Sequence, residues 1–454
     1  MSSSREYSLY TFYSDEPNEY PELNFQIYAE ELCQAVTLVT AWQRNSTTIS
    51  TKHGGAFTVG IFGSWGSGKT SLMHEIERQL KVQESTLQES DNDLTYKTIW
   101  FNPWKYDGRE DVRNALIQTI LRAIANDDDI KKDPSKRKEW AQLAKRFGLC
   151  ATGISVQLAS AAIQSAINVD TKKLSDRITK ESQTYLSEEE IFDPYLFVNQ
   201  FEDAFRKAVN SYVGKKGKII IFIDDLDRCL PESALTVLES IKLYLDQPNC
   251  IFFLGIDKRI VEQAVRQRYK GLPSTVTGKE YIEKIIRLNF FLPEKSPESV
   301  EKILQVGLNA TYAGDSKRWQ LIQMATGSNI RKVKQFVIAF DLVEKIVERL
   351  NMDKAYLPKL AKLLLIQLNY PDFFDSLMKN KSLLRKFENI FEQEKELFKV
   401  KERMSKDIDG QIFVDDDNLI NLLMNSRDYP RGFSDPNEIK KVLQLLSQTG
   451  ASTT

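Results

Sequence analysis

The chain has 454 residues, 42% of them hydrophobic and 28% charged, with a formal net charge of −1, a composition of ordinary globular protein with room for roughly two or three domains. The balanced charge supplies no global field for nucleic acid, and the four cysteines (Cys33, Cys150, Cys229, Cys250) are too widely spaced for a disulfide framework or a thiolate zinc site. His53 and His74 are the only histidines, too few for a histidine triad or metal centre, and no charged segment followed by an apolar core marks a secretory leader, so a reducing cytoplasm is the expected setting.

Residues 1–22 read as a polar lead-in. From Leu23 to Trp42, the residues Phe25, Tyr28, Leu32, Val36, Val39 and Trp42 recur at helical spacing and predict an amphipathic helix. Ala56–Phe62 is a short apolar run rich in β-formers, as a buried strand should be. It enters Gly63-Ser64-Trp65-Gly66-Ser67-Gly68-Lys69-Thr70, which fits G-x-x-x-x-G-K-[ST]. Ser71–Leu80 follows with helical spacing, Leu72, Ile76 and Leu80 sharing a face. A glycine loop between strand and helix lets successive N–H groups point inward at a phosphate, and the helix adds its positive dipole end. On this reading Gly63, Ser64, Trp65, Gly66, Ser67, Gly68, Lys69, Thr70 and Ser71 bind nucleotide. Lys69 reaches the β/γ-phosphates and the Thr70 hydroxyl serves Mg²⁺.

Tyr96–Phe101 reads as a second strand and runs into Asn102-Pro103-Trp104-Lys105-Tyr106; Asp111–Ile124 is again helical. Residues 127–192 read as an insertion, first basic (Lys131–Arg146), then uncharged (Phe147–Val169). The uncharged run has the roughly 20 residues a bilayer needs. Yet Gln157, Gln164 and Asn168 are costly in hydrocarbon, so a helix buried against protein is expected, with a membrane contact as the alternative. The basic stretch could touch nucleic-acid phosphates, although a solvated loop is the plainer reading. Phe197, Phe201, Phe205 and Val209 mark the helix that returns to the sheet.

Lys218–Ile223 is strongly apolar and ends in Asp224-Asp225-Leu226-Asp227-Arg228. Carboxylates at the end of a buried parallel strand sit where such sheets meet their ligands. Asp224 is placed to hold Mg²⁺ and Asp225 to polarise an attacking water. Helix Glu232–Leu245, strand Cys250–Ile256, helix Lys258–Tyr269, a short helix Tyr281–Ile286 and strand Leu288–Leu292 follow. The strand lying in sequence between the phosphate loop and Asp224-Asp225 suggests a sheet with one strand inserted between those two functional strands. The fold class is therefore α/β, a RecA/AAA+-like P-loop NTPase with a five-stranded parallel sheet, plus a C-terminal helical domain. No Asn-Lys-x-Asp motif is visible, which favours ATP over GTP. From residue 297 the pattern is helical: Gly327–Lys334 opens a helix through Val337 and Phe340, Leu357–Leu368 and Phe374–Leu397 continue it, and Pro436–Gln448 is last. Arg228, Arg259 and Arg287 are candidates for a charge-stabilising arginine, in cis or from a neighbouring subunit. The polar end of Cys250–Ile256, Asp257-Lys258-Arg259, is placed to sense a γ-phosphate. Arg331 and Lys334 either reach the nucleotide or form a solvated face. Trp65 and Trp104 are expected to pack, Trp104 in the core.

With these motifs in place, the sequence resembles the KAP family of P-loop NTPases. The resemblance rests on Gly60–Ser71, Trp100–Tyr106, Phe222–Arg228 and Tyr281–Ile286, above all on tryptophan inside the phosphate loop with Asn-x-Trp-Lys and Asp-Asp-Leu-Asp-Arg. It implies an ATPase domain followed by helices, often with membrane segments inserted at the place that residues 127–192 hold here. It also implies partner proteins encoded nearby and a link to antiphage or anti-plasmid defence. The expected layout is a lead-in at 1–22, NTPase parts at 23–126 and 193–296, the insertion at 127–192 and a helical domain at 297–454. The expected activity is that of an ATP- and Mg²⁺-dependent switch, catalysed through Lys69, Asp225 and Arg228 and acting on partner proteins or its own oligomer. A nucleotide-dependent scaffold with negligible turnover, or a membrane-associated NTPase, would carry the same motifs.

Overall fold

The computed structural model describes residues 24–45, 55–88, 95–108, 112–134, 194–214, 217–243, 245–268, 278–293, 295–296, 298–299, 316–327, 329–426 and 435–448. The lead-in, the uncharged run Phe147–Val169 and most of the expected insertion lie outside them. Among the described residues no helix is long and apolar enough to cross a membrane.

Five strands, β1 (Phe57–Phe62), β2 (Tyr96–Phe101), β3 (Lys218–Ile223), β4 (Cys250–Ile256) and β5 (Leu288–Phe291), form one parallel sheet in the order β2-β3-β4-β1-β5. One strand does separate β1 from β3, and it is β4; Tyr96–Phe101 takes an edge instead. Burial follows this order. Every residue of β3 and β4 is buried, whereas β2 and β5 at the edges are only partly so. A parallel strand covered on both faces needs a continuous apolar run, and Ile219–Ile223 and Ile251–Leu254 provide it.

Helices α1 (Phe25–Asn45), α2 (Lys69–Gln88), α3 (Val112–Asn126), α4 (Asp128–Lys132), α5 (Pro194–Val213), α6 (Pro231–Leu243), α7 (Lys258–Arg268) and α8 (Gly278–Ile285) accompany the sheet. Helices α2 and α3 bury the stripes that their spacing anticipates: Leu72, Ile76 and Leu80 on α2, Val112, Leu116, Ile120 and Ile124 on α3. Ile219, Ile221, Ile223, Phe252, Leu254 and Ile256 share a core with α3, α5 and α6. The alternate side chains point to the opposite face. There Trp100, Phe222 and Phe253, in register across three strands, stack at centroid distances of 4.7 and 5.3 Å. His74 of α2 caps the stack at 4.1 Å from Trp100. Three residues on, the Glu77 carboxylate accepts from Thr98 Oγ1 (2.8 Å) and Trp100 Nε1 (2.9 Å) and pairs with Lys81 (2.9 Å). Helix α2 is thus fixed to β2 by both stacking and hydrogen bonds.

Contacts divide the described residues into two units, one within 24–64 and 68–292, the other the loop tip Trp65–Ser67 with residues from 293 onward. The second unit holds α9 (Ser316–Thr326), α10 (Ile330–Arg349), α11 (Leu357–Asn369), α12 (Pro371–Lys379), α13 (Leu383–Gln393), α14 (Leu397–Met404), α15 (Ile408–Phe413), α16 (Asp417–Asn425) and α17 (Pro436–Gln448), and the rings of Phe373, Phe387 and Phe413 join α12, α13 and α15. The expected run Phe374–Leu397 is broken rather than continuous. Asn380 leaves helical dihedrals (φ −124°, ψ 92°), and its side chain accepts from Ser382 N and Oγ, a local alternative to the helix bond. Glu394 breaks it again (φ −126°, ψ 129°).

Burial alone would raise the Glu77 carboxyl, but the bonds from Lys81, Thr98 and Trp100, with His74 nearby, hold it well below the usual carboxylate range. A depressed carboxyl adds stability above its unfolded value, about 4.3, and the contribution is lost as pH falls through the folded value. Glu77→Gln should therefore cost about 2 kcal/mol at neutral pH, read by denaturant unfolding. The gap to wild type should shrink below about pH 4. A gap that stays constant down to low pH would mean that the ionised form contributes nothing.

Candidate functional site

The glycine motif begins where β1 ends. Gly63 N–H donates to Ile256 O at 3.2 Å, tying the loop to the end of β4. Gly66 and Gly68 take φ of 78° and 102°, which side chains rarely adopt. A Cβ on Gly68 would also lie 2.6 Å from the Phe25 ring, so α1 shapes the loop from behind. Helix α2 starts at Lys69, closed by Leu72 N–H to Gly68 O at 3.0 Å.

Lys69 and Thr70 then diverge. The Lys69 ammonium, 7% exposed, donates to Gly63 O (3.0 Å), Ser64 O (3.3 Å) and Asp227 Oδ2 (3.0 Å). Thr70 Oγ1 donates to Asp224 Oδ2 at 2.6 Å. Burial pushes the Asp224 carboxyl up, with Asp225 adding to it, against the lowering bond from Thr70. Gly255 of β4 makes room for it, since a Cβ there would lie 2.9 Å from Asp224 Oδ1. A hydroxyl and a carboxylate meeting at a desolvated point suit a hard cation. Among the described residues no group of three or more His, Cys, Asp or Glu side chains could hold a metal. A cation at Thr70 and Asp224 would therefore complete its shell from phosphate and water, as Mg²⁺ does.

Asp225 is held differently. It lies in the left-handed region (φ 58°), uncommon for a non-glycine residue though aspartate takes it more readily than most. Asn102 Nδ2 donates to its Oδ2 at 2.7 Å, and Arg228 Nε pairs with its Oδ1 at 2.8 Å. The Asn102 amide is oriented by its other end, which accepts Trp104 N–H at 3.1 Å and caps the short turn Pro103–Lys105. Trp104 is half exposed, not in the core as expected, and the Arg228 guanidinium lies 5.2 Å from its ring centroid. Asp227 and Arg228 share the 3₁₀ turn Leu226–Arg228, so one turn delivers a carboxylate to Lys69 and a guanidinium to Asp225.

The other expected residues are spread out. Arg259 is largely exposed and clamps Asp257 through Nε and Nη2 at 3.2 and 2.8 Å; against desolvation, that contact keeps the Asp257 carboxyl low. Arg287 is exposed, its backbone N–H bonded to Thr58 of β1. Ser64 is exposed and Ser71 partly buried on the first turn of α2. In the unit holding the loop tip, Asn329 caps α10 and donates to Trp65 O at 2.8 Å. Arg331 stacks 4.7 Å from the Trp65 ring, and Lys334 lies partly buried further along α10. Lys295 donates to Ser67 O, and burial lowers its pKa to about 8. Ser67 Oγ is buried without a hydrogen-bond partner, a polar atom suited to a ligand oxygen. Phe25, Asn102, Asp227, Gly255 and Lys295 had no assigned role in the sequence reading. Asn102 and Asp227 stood in quoted motifs and Gly255 in the strand before Asp257, whereas Phe25 and Lys295 are far from the motifs in sequence, and only folding brings them in.

Among known proteins, the chain is 26% identical over 246 residues to the phage T7 exclusion protein of Escherichia coli (strain K12), covering 54% of this chain and 30% of that protein. It is 23% identical over 100 residues to the kinase D-interacting substrate of 220 kDa of Rattus norvegicus, covering 22% of this chain and 6% of that one. The chain thus spans less than a third of these two relatives. Among solved structures it is similar, at 14% identity and a TM-score of 0.32, to the Aeropyrum pernix ORC2 protein in ADPNP–ADP complexes, over 92% of this chain and 85% of that one. The KAP family P-loop domain matches residues 42–347, more than half of the chain and a span holding all five strands, the glycine loop and the Asp224-Asp225 strand end: the chain belongs to the KAP family of P-loop NTPases.

Proposed function

We propose that the chain binds and hydrolyses ATP, and that the state of the nucleotide is passed to partner proteins encoded nearby or to further copies of the chain. One observation carries this reading: Thr70 Oγ1 and Asp224 Oδ2 meet at 2.6 Å, beside the Lys69 ammonium and at the end of a fully buried strand. Residues Gly63–Ser71 would cradle the phosphates with backbone N–H groups and the dipole end of α2. Lys69 would offset negative charge on the β/γ-phosphates, and Thr70 with Asp224 would hold Mg²⁺, which would supply positive charge against that developing on the phosphate. Asp225 would orient the attacking water, and Arg228, ion-paired with it, would hold that carboxylate in position.

A second reading is favoured by the same geometry. Both Asp225 oxygens already have partners, Asn102 and Arg228, which suits a scaffold with negligible turnover whose ATP orders an assembly. The similarity to a phage exclusion protein supports a role in defence against phage. A reducing, cytoplasmic setting is supported by the free, buried thiols of Cys33, Cys229 and Cys250.

Titration with a fluorescent ATP analogue and single-turnover hydrolysis test the reading. Lys69→Ala should weaken ATP binding about 100-fold or more, the scale of two charge-assisted hydrogen bonds. Unchanged binding would remove the assignment. Asp225→Asn should leave affinity within a few-fold and cut turnover by about 10²–10⁴, the range for a positioned base. Arg228→Ala should lower turnover less than Asp225→Asn does; a full rate in that variant would exclude Arg228 from catalysis. Tight binding with no single turnover in wild type would select the scaffold.

A further inference from the structure

The Lys69 ammonium has three protons to donate, and the structure gives all three a partner: Gly63 O, Ser64 O and Asp227 Oδ2. Any phosphate that takes Lys69 must therefore displace one of them. The two carbonyls belong to the loop itself, whose path is set by the bond from Gly63 to Ile256 and by the positive φ of its glycines. Asp227 is the only charged one of the three, and the pair it forms is 7% exposed on both sides, shielded from the screening that weakens surface ion pairs. Its side chain hangs from a short 3₁₀ turn, not from the loop.

We infer that Asp227 is an internal competitor for the nucleotide, a carboxylate that occupies the position of a phosphate oxygen on Lys69 and must yield before ATP is bound. The exchange swaps one anion for another, so the ammonium never loses its counter-charge. It also frees the turn Leu226–Arg228, whose last residue, Arg228, holds Asp225. Asp227 is thus a positioning residue that sets affinity through Lys69, and capture of phosphate at Lys69 loosens the restraint on Asp225. This rests on the nucleotide-binding reading of Lys69.

The test is titration of full-length wild type, Asp227→Asn, Asp227→Ser, Asp227→Glu and Lys69→Ala with a fluorescent ATP analogue in the presence of Mg²⁺, alongside thermal unfolding without nucleotide. Asp227→Asn removes the competing charge and leaves a buried ammonium less well paired. It should bind the analogue about tenfold more tightly, the size of one hydrogen bond to a charged group, while unfolding at a lower temperature when ligand-free. A merely structural role would lower both stability and affinity. Asp227→Glu retains the charge and should stay near wild type, and Asp227→Ser should show the same sign as Asn, which serves if the Asn variant does not fold. Unchanged or weaker binding by the neutral variants, with wild type binding and Lys69→Ala not, would overturn the competitor while leaving the nucleotide reading intact. Absence of binding by wild type would overturn both.

Discussion

A lysine ammonium shut away from water must have its charge and all three protons satisfied, and Lys69 at 7% exposure sets that condition for its whole end of the sheet. Two carbonyls can reach it only if the loop curls back over the start of α2, which needs backbone dihedrals that Gly66 and Gly68 supply. The counter-charge can reach it only if the strand carrying Asp224 to Asp227 ends nearby. Sheet order arranges this. With β4 between β1 and β3, the loop after β1 and the turn after β3 stand one strand apart, near enough for side chains to meet yet with a gap between them. Gly255 of β4 lines that gap, and any side chain there would press on Asp224.

The second carboxylate obeys a different constraint. Asp225 follows a strand that has just ended, and its φ of 58° turns the chain sharply toward the Leu226–Arg228 turn. Such a conformation costs on the order of 1 kcal/mol or more in a non-glycine residue and survives where its environment over-determines it. Here the environment is explicit: an amide from the end of β2 on one oxygen and a guanidinium on the other. The amide is itself held by the turn it caps, and the guanidinium rests on Trp104 of that turn. The segment after β2 therefore buttresses the segment after β3, which gives Asn102-Pro103-Trp104 a physical role beyond family resemblance.

What could be read in the sequence follows from how local the determinants are. The strands Tyr96–Phe101 and Cys250–Ile256 have the ends their apolar runs suggest, because buried strands are marked by continuous hydrophobicity. The stripes of α2 and α3 were equally legible, since a helix needs only its own spacing to declare a face. The break at Asn380 was not, because it depends on one side chain competing with the helix for backbone bonds. Trp104 misled for a related reason: an aromatic residue is core by default, and only the folded turn shows it to be a half-exposed platform for a cation. Lys69, Thr70 and Asp224 were legible as motif members, but the pairing of Lys69 with Asp227 joins residues 158 positions apart and appears only in three dimensions.

The same geometry separates parts that hold still from parts that can exchange. Lys69 and Thr70 open α2, and little more than a turn further on that helix is fastened to β2 by the His74–Trp100 stack and the Glu77 hydrogen bonds. The aromatic stack carries that anchorage through Phe222 to Phe253, into the two fully buried central strands. The lysine and threonine therefore have rigid support beneath them, as groups that must meet a ligand within a fraction of an ångström require. Their present partners differ in kind. Gly63 O and Ser64 O are part of the loop and move only if it does, whereas Asp227 and Arg228 sit at the ends of side chains on a single short turn. Adaptation to a ligand is cheapest on that turn, because there it costs side-chain rearrangement and two ion pairs, while moving the helix would mean unpacking the sheet.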